Sequence, residues 1–174
     1  RGAMQDMTAS NAQAEALARS ESRFRFIADS LPHMVWMSDA SGRINFANDA
    51  VYEFVGIDKG TPAAEFWLDA VHPDDRERCV ATWTECVANE RNYELDFRIR
   101  RHDGQFRWQK IHAVPVRDEL GTVTGWYGAG IDVHEMVEAR REASRLADGF
   151  SAMLASISDG FFTIDREWTM TYAN

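Results

Sequence analysis

Apolar and charged residues alternate over residues 93–100, "YELDFRIR", which is the clearest local pattern in the chain. A period of two predicts a β-strand with one buried and one solvated face. Asp103-Gly104 supplies the positive φ angles of a tight hairpin turn. A returning strand is therefore predicted from Phe106 to about Val116.

Further apolar segments between turn signals extend this hairpin into a sheet. The turn "DELG" and the segment "TVTGWYGAGIDV" predict a third strand of a meander, and "HMVWMSD" and "GRINFAND" predict two shorter strands joined at Ala40-Ser41-Gly42. Strands in this order, with helices between the second and third, predict an α+β fold with one antiparallel sheet.

Helices are predicted on both sides of the first two strands. Apolar residues recur at three- and four-residue steps from about Thr8 to Leu31, where Pro32 ends the pattern. Asn48 or Asp49 is the expected cap of a short helix that stops at Gly56.

Two further helix starts follow in the sequence. Thr61-Pro62 is read as an N-cap and first-turn proline before "AAEFWLDA". A longer helix starts at "HPDD", where Pro73 suits the first turn and Asp74-Asp75 favour the positive end of the helix dipole.

A heptad pattern follows the last predicted strand. The apolar residues at its core positions, with Leu17 and Phe24 of the N-terminal helix as further contacts, predict a short parallel coiled coil. The residues at these positions are Met136, Ala139, Ala143, Leu146, Phe150, Met153 and Ile157. An ordinary amphipathic connector helix is the alternative, because Gly149 interrupts the pattern and two core positions are alanine.

The end of the chain repeats an earlier segment at a spacing of 126 residues. "ADSLPHMVWMSDASGRINFAN", which ends at Asn48, aligns without a gap with "LASISDGFFTIDREWTMTYAN", which ends at Asn174. An aromatic-Ala-Asn ending and an Asp in one register predict the start of a second copy of the same unit.

Composition and charge exclude several classes of partner. The chain is 45% hydrophobic with a net charge of −9, which is typical of a globular protein and argues against a nucleic-acid partner. No apolar stretch approaches the length of a membrane span, and no signal peptide is visible, so a cytoplasmic location without membrane insertion is expected.

The two cysteines are predicted to be core residues. Cys79 and Cys86 lie seven positions apart in the long helix, about 10 Å along its axis, which is too far for a disulfide. No partner His or CxxC accompanies them, so a redox or metal role is the weaker alternative.

Four segments together resemble a PAS domain with a C-terminal PAC motif, of the PAS fold-3 type, from bacterial multi-domain signalling proteins. They are "MVWMSDASGRINFAN", "FWLDAVHPDDRERC", the segment from Phe97 to Glu135, and the helix that leaves it; "HPDD" with the "RRHDGQFRW" hairpin is the most specific combination. The family's last strand commonly ends in Asp-Ile-Thr, in which Asp and Thr couple the sheet to the outgoing helix. Here Asp132-Val133-His134 stands at that place, so Asp132 carries over and His134 replaces the Thr.

The residue patterns and the resemblance together set the expected domain boundaries. Residues 1–4 are expected to be a cloning remnant, residues 5–31 an N-terminal helix and residues 32–134 the PAS/PAC domain. A linker helix over 135–156 and the truncated start of a second PAS domain over 157–174 follow.

The resemblance also implies an architecture and a function. It implies a five-stranded antiparallel sheet with helices on one face, flanked by amphipathic helices. It further implies parallel homodimers that relay signals to an effector domain of the same chain, a histidine kinase of a two-component system or a cyclic-dinucleotide enzyme.

No catalytic motif accompanies these features. The sequence lacks a Gly-rich phosphate loop, a nucleophile elbow and a His pair at metal spacing, and helix-start electrostatics explains Asp74-Asp75 better than acid-base catalysis. The chain is therefore expected not to be an enzyme.

The residues available to bind a cofactor argue against two common ones. The segment "TPAAEFWLDAVHPDD" has no cysteine where light-sensing relatives carry one, so a flavin of the cysteine-adduct type is not expected. Haem, which needs an axial ligand, is disfavoured although it stays an alternative: the histidines are His33, His72, His102, His112 and His134. Aromatic residues are the candidate lining of an apolar pocket, with core filling as the alternative. They are Trp36, Phe46, Phe54, Trp67, Trp83, Phe97, Trp108 and Trp126.

Three functions remain open at this point. The first is a relay in which sheet strain changes the register or splay of two paired helices. The second is a small-molecule receptor, and the third is a structural spacer.

Overall fold

The computed structural model describes residues 2–155 and 162–173, with side chains for 13–154 and 162–173. The chain divides into two compact units, residues 1–133 and 134–174. The first unit contains α1 (Gly2–Asp29), β1 (Met34–Asp39), β2 (Ile44–Ala47), α2 (Asp49–Val55), α3 (Ala63–Ala70), α4 (Pro73–Ala88), β3 (Tyr93–Arg100), β4 (Phe106–Arg117) and β5 (Val123–Asp132). The second contains α5 (His134–Ala155), β6 (Phe162–Ile164) and β7 (Met170–Ala173).

The first unit is built on one five-stranded antiparallel sheet with the order β2-β1-β5-β4-β3. The predicted α+β fold is therefore confirmed. β3 and β4 pair without interruption from Tyr93 opposite Ala113 to Arg100 opposite Phe106, as the alternating pattern and the Asp103-Gly104 turn predict.

The two faces of the sheet have different surroundings. On the inner face, Tyr93 and Phe97 of β3 and Ile111 and Ala113 of β4 are buried with residues of α4 in one hydrophobic cluster. On the outer face, large apolar side chains remain partly in solvent: Val114 is 37% exposed, Ile131 46% and Tyr127 52%.

The helix ends differ from the predictions in three places. α1 ends at Asp29 rather than at Leu31, because the chain already turns at Ser30 before Pro32. Thr61 is not an N-cap, since Pro62 holds that position and no side-chain cap forms. Asn48 is the N-cap residue of α2, but its side chain makes no cap hydrogen bond because it is used elsewhere.

The start of α4 is capped by a residue that the sequence did not single out for that role. His72 Nδ1 accepts a hydrogen bond from the Asp74 N–H at 3.2 Å, and Pro73 occupies the first turn as predicted. The chain entering this helix is also tied to β3, because the His72 N–H donates to the Arg98 carbonyl at 2.9 Å.

The hairpin of the second unit repeats that of the first residue by residue. Phe162 pairs with Ala173 as Trp36 pairs with Ala47, at the same spacing of 126 positions, and both hairpins have a register shift after the second pair. Asp165 Oδ1 accepts two backbone N–H groups across its turn, as Asp39 Oδ1 does.

One position distinguishes the two turns. Trp168 adopts a φ of 64°, whereas Gly42 adopts 84° at the equivalent place, where a residue without Cβ has no steric cost. The two copies therefore share the turn aspartate, Asp39 or Asp165, and the register of strand pairing. Asn174, its last residue, lies outside the described residues.

Candidate functional site

An apolar cavity of about 100 Å³ lies between the inner face of the sheet and the helices that cover it. Met34, Trp36, Phe97 and Ile111 contribute its sheet wall. Helices α2, α3 and α4 contribute the opposite wall, which includes Val55, Phe66, Trp67 and Trp83.

The glycines of β5 make room for the aromatic wall. A Cβ on Gly128 would lie 2.2 Å from the ring of Trp36, which stands directly opposite Gly128 in the sheet. A side chain there would displace Trp36, which lines the cavity.

Of the eight aromatic residues predicted to line a pocket, four lie on this wall. They are Trp36, Trp67, Trp83 and Phe97. Trp83 is the centre of the cluster, with ring centroids 5.4 Å from Trp36 and 5.2 Å from Tyr93, both edge-on. Its indole N–H donates to the Gly42 carbonyl at 3.0 Å, which ties α4 to the β1–β2 turn.

The other four predicted residues lie elsewhere. Phe46 packs against Phe24 of α1, with centroids 5.3 Å apart, and Phe54 packs in the smaller cluster around Phe66. Trp108 is stacked under Arg98 at 5.3 Å. Trp126 is 1% exposed and fills the core behind Trp83.

The prediction missed two aromatic residues of the wall, Phe66 and Tyr93, and it missed the aliphatic residues because it named aromatic residues only. Met34, Val55 and Ile111 all contact the cavity. Their position on the inner face of a strand or helix is the signal that would have identified them, and in the sequence it is not separable from ordinary core packing.

Tyr93 at the wall and the two buried cysteines near it are uncharged at neutral pH. Burial raises the pKa of the Cys79 thiol to about 11, and burial together with the adjacent thiol raises the pKa of Tyr93 as well. Burial also raises the pKa of Cys86. Because the thiolate is the reactive form of cysteine, both thiols are held in their inert form.

Gln109 is a buried polar residue beside the wall. It is 1% exposed, lies opposite Phe97 in β3, and shares the inner face of β4 with Ile111 two positions further on. Its Nε2 is buried and has no hydrogen-bond partner among the residues that the structure describes. An unsatisfied buried donor costs about 1–3 kcal/mol, so such atoms are rare without a function or a bound molecule.

The five predicted haem-ligand candidates do not reach the cavity. His33, His102 and His112 are exposed, and the His72 ring lies edge-on to Phe106 at 4.5 Å. His134 is the first residue of α5. In the ranges that the structure describes, no group of three or more His, Cys, Asp or Glu side chains is arranged to hold a metal ion.

A buried ion pair fixes α4 to β3 next to the cavity. Asp75 accepts hydrogen bonds from Arg98 Nε at 2.8 Å and from the Arg98 backbone N–H at 3.0 Å. Burial by itself raises the pKa of Asp75, but the hydrogen bonds and charge of Arg98 outweigh it and hold the pKa below its ordinary value of 3.8.

Asp132, predicted to couple the sheet to the outgoing helix, lies at the end of β5. Its Oδ2 accepts a hydrogen bond from Arg107 Nε at 2.6 Å. Arg107 belongs to β4, so this pair fixes the last residue of β5 to its neighbouring strand.

The predicted dimer-helix residues are exposed in the single chain. On α5, Met136 is 65% exposed, Leu146 62%, Phe150 59% and Met153 55%, and Ala143 is also exposed. On α1, Leu17 is 62% and Phe24 38% exposed. Ile157 lies outside the described residues.

Across the described ranges 2–155 and 162–173, the helices are too short or too polar to cross a membrane.

Comparison with known proteins identifies similar sequences and folds. Residues 44–129 match the family described as PAS fold. Uncharacterized protein y4lL of Sinorhizobium fredii is 30% identical over 141 residues, 81% of this chain and 17% of that protein. The peroxide stress-activated histidine kinase mak1 of Schizosaccharomyces pombe is 28% identical, over 70% of this chain and 7% of that protein.

Solved structures extend the likeness in fold. The N-terminal domain of a diguanylate cyclase with PAS/PAC sensor from Marinobacter aquaeolei superposes with a TM-score of 0.54 at 22% identity, covering 60% of this chain and 97% of that one. This chain therefore spans a small part of the relatives' length and nearly all of an isolated sensor domain.

Proposed function

Because residues 44–129 place the chain in the PAS fold family, we propose that it is the sensory and relay part of a larger signalling protein. Two copies join in parallel through α1 and α5, and a change in the sheet alters the register or splay of the paired helices. The domain itself senses and transmits, and catalysis is carried out by an effector domain of the same protein.

The single observation that carries this proposal is the exposed apolar stripe on α5. Leu146, Phe150 and Met153 lie on heptad core positions and are more than half exposed. Large apolar side chains at this spacing are typical of helices that pair with a second copy of themselves. Only Val133 separates α5 from β5, so movement at the end of the strand reaches the helix directly.

We favour a histidine kinase as the effector. The relative from Schizosaccharomyces pombe is named as a histidine kinase and is similar over 70% of this chain, whereas the link to a cyclase rests on similarity of fold. Attaching α5 in register to a kinase domain and assaying autophosphorylation as helix residues are inserted tests this choice. A rate that varies with a seven-residue period supports the relay, and a constant rate contradicts it.

We expect Leu146→Glu to weaken the dimer by about a hundredfold or more. Each protomer loses the burial of one leucine, worth about 1.5–3 kcal/mol, and a dimer loses two. Sedimentation equilibrium over a range of concentrations measures the change in dissociation constant.

Ser144→Glu is the matched control, since it adds the same charge at an exposed position of α5 outside the heptad core. It should leave the dimer intact. Equal dimerisation of both variants, or a wild-type chain that is monomeric, would show that two copies do not pair through α5.

A second function, that of a small-molecule receptor, is favoured by the apolar cavity. Native mass spectrometry and an absorbance spectrum of freshly purified protein test it directly. A bound molecule makes the domain a direct sensor, and an empty dimer leaves the relay as its function.

A further inference from the structure

A groove of about 340 Å³ runs along β2, the strand at one edge of the five-stranded sheet. Five consecutive residues, from Arg43 to Ala47, line one side of it, and Pro62, Ala63 and Ala64 at the start of α3 line the other. Successive side chains of a strand point to opposite faces, so a groove on one face is lined by alternate residues. Contact with residues of both faces therefore places this groove along the edge of β2.

The backbone of β2 is unpaired on the side of the groove. β2 pairs with β1 alone, so one row of its N–H and C=O groups points out of the sheet. Among the residues that the structure describes, Asn45, Phe46 and Ala47 form no hydrogen bond outside this strand pair. An edge of this kind can pair with another extended chain.

The opposite edge of the sheet, β3, is closed by the first unit itself. Arg78 donates to the Asp96 carbonyl at 2.8 Å. The Arg98 N–H donates to Asp75 at 3.0 Å, and the Arg98 carbonyl accepts from the His72 N–H at 2.9 Å. Of the two edges, β2 is thus the one whose backbone is left open to a partner.

Arg43 sets the charge of that partner. Its guanidinium is exposed at the groove and forms no ion pair within the described ranges of the chain. Asp39, the acidic residue beside it, is used within the β1–β2 turn: its Oδ1 accepts from the Ser41 N–H at 2.9 Å and from the Arg43 N–H at 3.1 Å. A guanidinium binds a carboxylate through two parallel hydrogen bonds, so an acidic side chain complements this end of the groove.

We propose that β2 pairs along this groove with an extended segment of an acidic partner protein, which adds a sixth strand to the sheet. The acidic side chain of the segment binds Arg43, and its backbone bonds to the outward groups between Asn45 and Ala47. The small side chains of Ala63 and Ala64 leave room for the added strand beside α3. This interaction is additional to the helix pairing proposed above and does not depend on it.

The groove shares part of its wall with the internal cavity. Ile44, Ala47 and Ala63 line both. A strand bound at the edge therefore contacts residues that also face the cavity between the sheet and its helices.

A display library of random hexapeptides, selected on the wild-type chain, is the probe. β2 has four residues and is about 13 Å long at about 3.3 Å per residue, so a hexapeptide covers it. We expect enriched peptides to carry Asp or Glu at one end and few prolines, because proline cannot donate to a strand ladder. Bound peptide should shift the amide NMR signals of Asn45 and Ala47 and leave those of Asp96 and Arg98 in β3 unchanged.

Methylation of single backbone nitrogens in an enriched peptide tests strand pairing itself. Alternate amides of an added strand face β2. Methyl groups at every second position should therefore weaken binding about tenfold or more, and those between should have little effect. Isothermal titration calorimetry measures the dissociation constants, and losses without this period of two contradict strand addition.

Substitutions locate the partner in the groove. Arg43→Glu should weaken an enriched acidic peptide about threefold to tenfold, whereas Arg100→Glu, the same change at an exposed position of β3, should not. Ala64→Leu fills the groove and should abolish binding, whereas Ala81→Leu at an exposed position of α4 should not. Circular dichroism and the melting temperature establish that each variant is folded.

Three results would overturn the proposal. The first is a selection that enriches no peptide relative to the Ala64→Leu variant. The second is a set of enriched peptides that lack acidic residues or bind Arg43→Glu as tightly as the wild type. The third is a shift of the Asn45 and Ala47 signals on dilution of the protein alone, which would make a second copy of the chain the occupant of the edge.

Discussion

Replacing Asp75 with alanine is expected to lower the free energy of unfolding by about 3–5 kcal/mol. The Asp75 side chain is 8% exposed and accepts hydrogen bonds from the backbone and guanidinium of Arg98, with Arg78 at 3.5 Å. Removing the buried carboxylate takes from Arg98 its nearest ion partner and leaves the exposed Asp74 at 3.4 Å, which is close to the costly case of a broken buried pair. Arg98 is itself 26% exposed, so the lower end of this range is expected. Urea denaturation followed by circular dichroism at pH 7 measures the loss.

Asp74→Ala is the matched control. Asp74 is the adjacent carboxylate, lies 3.4 Å from the same Arg98, and is 73% exposed. An exposed ion pair is worth about 0–1 kcal/mol, so this variant should be nearly as stable as the wild type. Equal losses in the two variants would mean that helix-start electrostatics, and not the buried pair, accounts for the effect.

The pH dependence of the Asp75 contribution has a defined sign. Its pKa in the folded protein lies below the ordinary 3.8, so the unfolded chain binds the proton first as the pH falls. The stabilisation is complete above pH 4–5. It is lost as the pH falls through the folded-state pKa. The difference in stability between wild type and Asp75→Asn should therefore be constant near neutrality and shrink below about pH 4. A difference that does not change with pH would contradict this.

The strands could be predicted because their signals are local. The alternation over residues 93–100 and the Asp103-Gly104 turn lie within one hairpin, and the structure has that hairpin in full register. The repeat at 126 residues predicted a second β1–β2 hairpin, and the register of β6 and β7 agrees pair by pair. Each hairpin could be predicted because the residues that determine its turn and its strand pairing lie close together in the sequence.

The cavity wall could be predicted only in part because strand register decides which side chains face inward. The register of β1 and β2 shifts after the second pair, so Ile44 and Ala47 both line the cavity and Phe46 turns away toward α1. In β4 the polar Gln109 faces inward and the aromatic Trp108 faces outward. This is the reverse of the usual arrangement, in which polar side chains face solvent and aromatic side chains face the core. Hydrophobicity alone assigns these positions to the opposite faces.

Asn48 is a second residue whose contacts could not be predicted from its position in the sequence. The sequence favoured it as a helix cap from its place before α2, yet its side chain bonds to residues as far as twenty positions away. Asn48 Nδ2 donates to the carbonyls of Ala28 at 2.8 Å and His33 at 3.0 Å, and Oδ1 accepts from the Val35 N–H at 2.9 Å. The Asn of the repeated aromatic-Ala-Asn ending thus fixes the end of α1 to the start of β1.

Asn48→Ala is accordingly expected to cost about 3 kcal/mol and to release the end of α1. The residue is fully buried, and its removal breaks three hydrogen bonds, each worth about 1 kcal/mol. Hydrogen exchange should show amides near Ala28 and Val35 losing protection, while β3 and β4 lose only what the global change in stability requires.

Asn45→Ala is the control, because Asn45 is exposed on β2 three positions before Asn48, and its effect should stay within about 0.5 kcal/mol. Uniform loss of protection in Asn48→Ala would show that Asn48 acts on the core as a whole and not on the helix junction. Selective loss at the junction identifies Asn48 as a contact that holds the end of α1 to the sheet, beside the Phe24–Phe46 contact. In the relay proposed above, α1 carries the exposed Leu17 and Phe24 proposed for pairing, and this contact is the expected link between the sheet and that helix.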